Sequence, residues 1–160
     1  MELAEGLRGY FGDGENRVVL VGVDNPIRAD DGVGPKVIEL LQERPLENVL
    51  LINAETVPEA FTGKVEKYKP THVMLIDATN FRGQVGKARL ITGAQIGGQA
   101  LSTHSLPLTL FISYIEQSID VPVILLGIQP KTIDFSMPMS REIEEAAVSM
   151  ADTLYQVLSE

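Results

Sequence analysis

The apolar positions of this chain switch repeatedly between two spacings. Arg17 to Val23 (RVVLVGV) is a continuous aliphatic run, as in a strand buried on both faces. From Gly32 to about Arg44, Val33, Val37, Leu40 and Leu41 recur at helical spacing. Val49 to Asn53 predicts a second short strand, and Pro58 to Tyr68 a helical turn or short helix. His72 to Ala78 (HVMLIDA) predicts a third buried strand. Gly83 to Ile91 predicts a fourth, less buried one, because Lys87 and Arg89 alternate with Ala88 and Leu90. Gly93 to Ser105 predicts a loop, Leu106 to Gln117 an apolar helix with Pro107 tolerated early, and Val121 to Gly127 a fifth strand. Gln129 to Pro138 is irregular, and Ser140 predicts the cap of a last amphipathic helix over Arg141 to Leu158. At the other end, Leu3, Leu7, Tyr10 and Phe11 predict a short helix that Gly12-Asp13-Gly14 terminates.

Strands alternating with helices imply a three-layer α/β sandwich. Its core is a mostly parallel, five-stranded twisted sheet with helices on both faces, and Gly83 to Ile91 is the candidate antiparallel or edge strand. Sites in such folds form beyond the carboxyl ends of the strands. The loops after Val23, Asn53, Asp77 and Gly127 should therefore share one rim.

Composition narrows the possibilities. The 160 residues carry 13 Lys+Arg against 22 Asp+Glu, a formal charge of −9, and read as a single domain over 1–160. Such an acidic balance argues against phosphate-backbone binding, so no nucleic-acid partner is expected. With no cysteine there can be no disulfide, thiolate metal site or cysteine nucleophile. The longest apolar runs, Val18 to Val23 and Val121 to Ile128 (broken by Pro122), fall far short of the ~20 residues of a membrane span. The N-terminus lacks the basic and apolar regions of a signal peptide. The expectation is an intracellular protein without membrane insertion.

Three groups on the expected rim could carry chemistry. Asp30 and Asp31 stand side by side between the first strand and its helix, and adjacent carboxylates repel unless a proton or cation relieves them. A structural reading is also open, in which one caps the helix and the other pairs with Arg28. Asp77 ends a buried strand, where a carboxylate is costly unless partnered. His104, in Thr103-His104-Ser105, stands just before an apolar helix; taken alone, it reads more readily as a structural or surface histidine. His72 starts the third strand, at the end away from the rim, and reads as structural. Together, Asp31, Asp77 and His104 form a hard-to-borderline ligand set suited to a divalent ion with open positions. Rival motifs are missing: no Gly-x-Ser-x-Gly elbow, phosphate loop, Gly-x-Gly-x-x-Gly or His-Glu-x-x-His occurs. A phosphoacceptor receiver domain shares the acidic pair and the strand-three Asp, with Lys131 after strand five. However, Lys131 follows Pro130 instead of preceding it, and His104 is left unexplained.

The loops taken together resemble the [NiFe]-hydrogenase maturation endopeptidases. The matching segments are Gly22–Pro35 (GVDNPIRADDGVGP), Ile52–Glu59 (INAETVPE), Leu75–Thr79 (LIDAT), Thr103–Leu108 (THSLPL) and Leu126–Pro130 (LGIQP). They occur in family order from about Arg17 to Leu158, with 1–16 as an N-terminal extension. THSLPL and LGIQP look most like the branch serving hydrogenase 3-type enzymes. The resemblance implies cytoplasmic removal of a C-terminal peptide from a nickel-loaded large-subunit precursor. Nickel would arrive on that precursor, and Asp31, Asp77 and His104 would be both the metal-contacting and the catalytic residues. A metal ion or a carboxylate, Asp31 or Asp77, would activate water or polarise the carbonyl. No other cofactor is implied, and a monomer is the default. The alternative without catalysis is a metal- or partner-binding module. Three positions depart from the family pattern: Asp24, Ala29 and Glu55 stand where glycine is frequent.

Overall fold

The computed structural model describes residues 2–92, 106–134 and 137–160. Its five strands are β1 (Val18–Val23), β2 (Val49–Glu55), β3 (His72–Ala78), β4 (Ala88–Thr92) and β5 (Val123–Ile128). Five helices accompany them among the described residues: α1 (Glu2–Phe11), α2 (Val33–Gln42), α3 (Thr62–Tyr68), α4 (Leu106–Ile119) and α5 (Arg141–Leu158). The sheet order is β2-β1-β3-β5-β4. β1, β2, β3 and β5 run parallel, and β4 closes one side antiparallel to β5. This is the three-layer, mostly parallel sheet that the alternating pattern implies.

Side chains along each strand alternate between two cores. On one face, Val18, Leu20, Met74, Ile76 and Leu126 pack with α1, α2 and α5, through Leu7, Val37, Ile38, Ala147 and Leu154. On the other, Val19, Val21, Ile52, Val73, Leu75 and Leu125 meet Val65 of α3 and Phe111, Ile112 and Ile115 of α4. α1 belongs to the first core, with Leu7 and Phe11 buried.

Glycine sets how closely α2 approaches the sheet. A Cβ on Gly22 of β1 would lie 2.7 Å from the Gly34 carbonyl oxygen and from Ile38 Cγ1. A Cβ on Gly34 would run into the backbone oxygen of Ile76 and come within 2.9 Å of that of Val23. With hydrogens at both positions, the first turn of α2 rests directly on the carboxyl ends of β1 and β3. The 3-10 turn Ala29–Gly32, just before α2, is thereby held over the end of β3.

Two expectations are corrected. The fourth strand starts at Ala88, not Gly83, because the chain turns around Gln84–Lys87, with Gly86 and Lys87 bonding to the backbone of Gln129. Gly86 has φ 87°, and the Lys87 amide donates to the Gln84 carbonyl at 3.0 Å. Ser140 does stand at the cap position of α5, but its hydroxyl makes no cap bond to that helix. It donates to Asp30 instead, at 2.9 Å. The expected loop from Gly93 to Ser105 lies outside the described residues.

Candidate active site

The adjacent carboxylates Asp30 and Asp31 are both fully buried, and they do different work. Asp30 Oδ2 accepts from the amides of Lys131 (2.7 Å) and Thr132 (2.9 Å) and from the Ser140 hydroxyl. Its Oδ1 accepts from the Ser140 amide at 2.7 Å. The Asp30 amide in turn donates to the Thr132 carbonyl, and the Ala29 amide to that of Met137, both at 3.1 Å. Asp30 thus ties the loop after β5 and the start of α5 to the Ala29–Gly32 turn. Neither acid caps α2, whose cap residue is Gly32. The expected pairing with Arg28 does form, at 3.7 Å, and it involves Asp31.

Asp77 continues the Val73–Leu75 side of β3, the side covered by α3 and α4. It is 1 % exposed. Neither of its carboxyl oxygens has a well-formed hydrogen bond to an amide, hydroxyl or cation among the described residues. Burial, the largest cause, holds its carboxyl well above the ordinary range. The negative charges of Asp24 and Asp31 push in the same direction, as does a hydrogen bond to Asp24, while the Ala78 amide opposes them. Asp24, Asp31 and Asp77 thus form one cluster of acidic side chains at the carboxyl ends of β1 and β3.

The structure therefore brings Asp31 and Asp77 together at the carboxyl rim, as the sequence predicts. It adds Asp24, which sequence reasoning noted only as a departure from glycine. The signal available was its place at the end of β1, level with the ends of β2 and β3. Asp24 also fixes the neighbouring loop: its amide donates to the Glu55 carbonyl at 2.6 Å, and its Oδ1 accepts from the Asn25 amide at 2.8 Å. His104 lies outside the described residues, two positions before the start of α4. His72 sits at the opposite end of β3, edge-on to the rings of Tyr10 and Phe11 and bonded to the Thr71 hydroxyl. Its structural reading holds.

Gln129 and Thr79 were unassigned at the sequence level. Gln129 Oε1 accepts from the amides of Phe81 (2.9 Å) and Gly83 (3.0 Å), and its Nε2 donates to Asn80 Oδ1 at 3.2 Å. It shapes the loop that follows Asp77. Thr79 is fully buried, with no hydrogen bond to its hydroxyl among the described residues. Gly127 makes room for it, since a Cβ there would lie 2.9 Å from the Thr79 hydroxyl oxygen.

Clustered buried carboxylates suit a divalent cation or proton transfer. Asp31 and Asp77 offer hard oxygen donors, so the residues present fit a divalent ion. Among the described residues, no three His, Cys, Asp or Glu side chains are grouped to hold a metal ion by themselves. The receiver-like alternative fails on topology: such domains order their strands 2-1-3-4-5, all parallel. Here β5 lies between β3 and an antiparallel β4. Lys131 also turns its ammonium group to Glu142, at 2.9 Å.

The fold and rim define an α/β protein with buried carboxylates gathered at the carboxyl ends of its strands. Comparison with known proteins makes that class specific. The family model described as hydrogenase maturation protease matches residues 35–157. The hydrogenase 3 maturation protease of Escherichia coli K12 is 33% identical over 141 residues, covering 88% of this chain and 87% of the relative. The crystal structure of a [NiFe] hydrogenase maturation protease from Thermococcus kodakarensis superposes with a TM-score of 0.87 at 31% identity, covering 100% of both chains. The solution structure of an Escherichia coli endopeptidase gives 0.75 at 30% identity, over 84% of this chain and 86% of that one. The chain belongs to the hydrogenase maturation protease family and is an endopeptidase of hydrogenase processing. Among the described residues, no helix is long and apolar enough to cross a membrane.

Proposed function

We propose that this endopeptidase removes the C-terminal peptide of a [NiFe]-hydrogenase large-subunit precursor, and that nickel already bound to the precursor is its recognition element. The observation that carries this reading is the pair of buried carboxylates, Asp31 and Asp77, brought to one rim with Asp77 short of donors. Two buried acids at one rim, with Arg28 beside Asp31 as the cation that pairs with it, form a site that would favour an added positive charge. A divalent ion delivered by the substrate supplies that charge at the moment of docking. Asp31, Asp77 and His104 then complete its coordination, and metal loading becomes the checkpoint for cleavage. Asp77, with its raised affinity for a proton, has the character of a general base or acid. The step itself is peptide hydrolysis: water adds to the scissile carbonyl, a carboxylate takes its proton, and the proton passes to the leaving amine. The cytoplasm is the proposed place, before the hydrogenase assembles, and the free enzyme acts as a monomer.

The test is a processing assay with a large-subunit precursor, once nickel-loaded and once nickel-free, read by precursor mass. The expected result is loss of a C-terminal peptide from the nickel-loaded sample alone. Equal cleavage of both samples would overturn the nickel checkpoint. Cleavage of neither, with stable capture of the precursor, would favour the binding-module alternative.

A further inference from the structure

Three of the large exposed apolar side chains among the described residues, Ile27, Val57 and Met137, stand on rim loops, whereas Leu110, Tyr114 and Val148 lie on helices and Val85 on the turn before β4. Ile27, in the loop after β1, is 58% exposed, and Met137, in the loop after β5, is 53% exposed. Isolated exposed hydrophobes on a surface are ordinary. These two stand on loops that a backbone hydrogen bond joins to each other. The Ile27 amide donates to Asn25 Oδ1 at 3.0 Å, and the Arg28 amide to the Asn25 carbonyl at 3.2 Å. Met137 is tied by its carbonyl to the Ala29 amide, two residues from Ile27. The buried Asp30 carboxylate then holds both segments, through Lys131, Thr132 and Ser140. A single bonded strip thus presents Ile27 and Met137 beside Asp31.

We infer that Ile27 and Met137 form a specificity-determining lip that takes an apolar side chain of the substrate next to the scissile bond. The occupant is a segment of the precursor, and the inference rests on the proposed peptidase reading. Two features favour a peptide in this place. The lip is continuous with the turn that carries Asp31, so whatever covers it also lies at the reacting centre. That rim carries the acids Asp24, Asp31, Glu55 and Asp77, and among its described residues the large exposed apolar groups are Ile27, Met137 and, on the loop after β2, Val57. Fixed backbones lower the ordering cost of binding, and the unbranched, polarisable Met137 adapts to the shape of its partner.

The experiment is steady-state processing of the nickel-loaded precursor by the full chain and by Ile27→Ser, Met137→Ser and the double variant. Val148→Ser, on the exposed side of α5, serves as the control. Loss of one apolar contact typically changes discrimination by 10- to 200-fold, so each lip variant should raise KM by about tenfold. A contact made equally in ground and transition states leaves kcat within about twofold. Melting temperatures should stay within about 2 °C of the parent, because little buried surface is lost. An unchanged KM in the double variant, beside normal processing by the parent chain, would overturn the lip and leave the peptidase reading standing. A parent chain that is dimeric by light scattering and becomes monomeric in the double variant, with KM unchanged, would assign the lip to a second copy and also overturn the proposal. Failure of the parent chain itself to cleave would overturn both readings.

Discussion

Asp24, Ala29 and Glu55 hold φ values of 92°, 48° and 52°, in the region that glycine adopts most readily. These are the three positions where resembling sequences often carry glycine. The loops have kept the glycine-type backbone and added side chains to it. Left-handed backbone at a residue with a Cβ costs roughly 1–2 kcal/mol, partly offset by the lower unfolded-chain entropy relative to glycine. Glu55 is exposed, so Glu55→Gly loses no buried contact. It should stabilise the fold by about 0.5–1 kcal/mol in urea unfolding. Asp24 is different, because its added carboxyl lies close enough to Asp77 to raise that group's proton affinity. The folded state raises the proton affinity of Asp77, so the linkage has an unusual sign. Its stabilising contribution is complete below the unfolded value, about 3.9, where the group is protonated in both states. The contribution is lost as pH rises through the higher folded value. Asp77→Asn removes this penalty, and its stability relative to the parent should grow from pH 4.5 to pH 7.5 in paired urea titrations. Parallel pH dependence in the two proteins would contradict the burial argument.

At the scale of elements, most of the fold was legible. Apolar runs with flanking loops marked β1, β3 and β5, and 3.6-residue spacing marked α1, α2 and α5, with boundaries within two or three residues. The exception was the fourth strand, where alternation extends through Gly83 to Lys87 but the turn around Gly86 takes over. Strand order was not legible, because it depends on which faces the helices cover and not on any one segment's pattern. The division of labour between Asp30 and Asp31 was hidden too. Two neighbouring acids look alike in sequence, and only the path of the loop after β5 shows which one is enclosed by donors. Asp30→Ala would orphan the amides of Lys131, Thr132 and Ser140 in a buried place. A loss of about 3 kcal/mol is expected, checked by chemical unfolding, with protection from proteolysis falling first in residues 131–140. The same variant should slow processing, since the turn carrying Asp31 loses its anchor.

At the scale of the whole molecule, the fold brings side chains from distant parts of the chain to one rim. Gly22 and Gly34 let α2 settle on the sheet, the settling places Asp31 over the end of β3, and β3 delivers Asp77. The resemblance in five loops pointed to that rim before any coordinates did. Asp24, in contrast, became part of the site only once β1 and β3 were seen to be neighbours. The most direct measurement is the rate of C-terminal peptide release from nickel-loaded precursor by Asp31→Asn and Asp77→Asn, each compared with the parent chain and each checked for an unchanged far-ultraviolet spectrum and a cooperative melting transition. Asparagine keeps the shape of the side chain and removes its charge and its capacity as a base. The predicted result is a fall of at least about 100-fold in both variants, with the fold intact, as expected for loss of a general base or a metal-contacting oxygen. Processing at the parental rate by either folded variant would contradict the assignment of that carboxylate to the site.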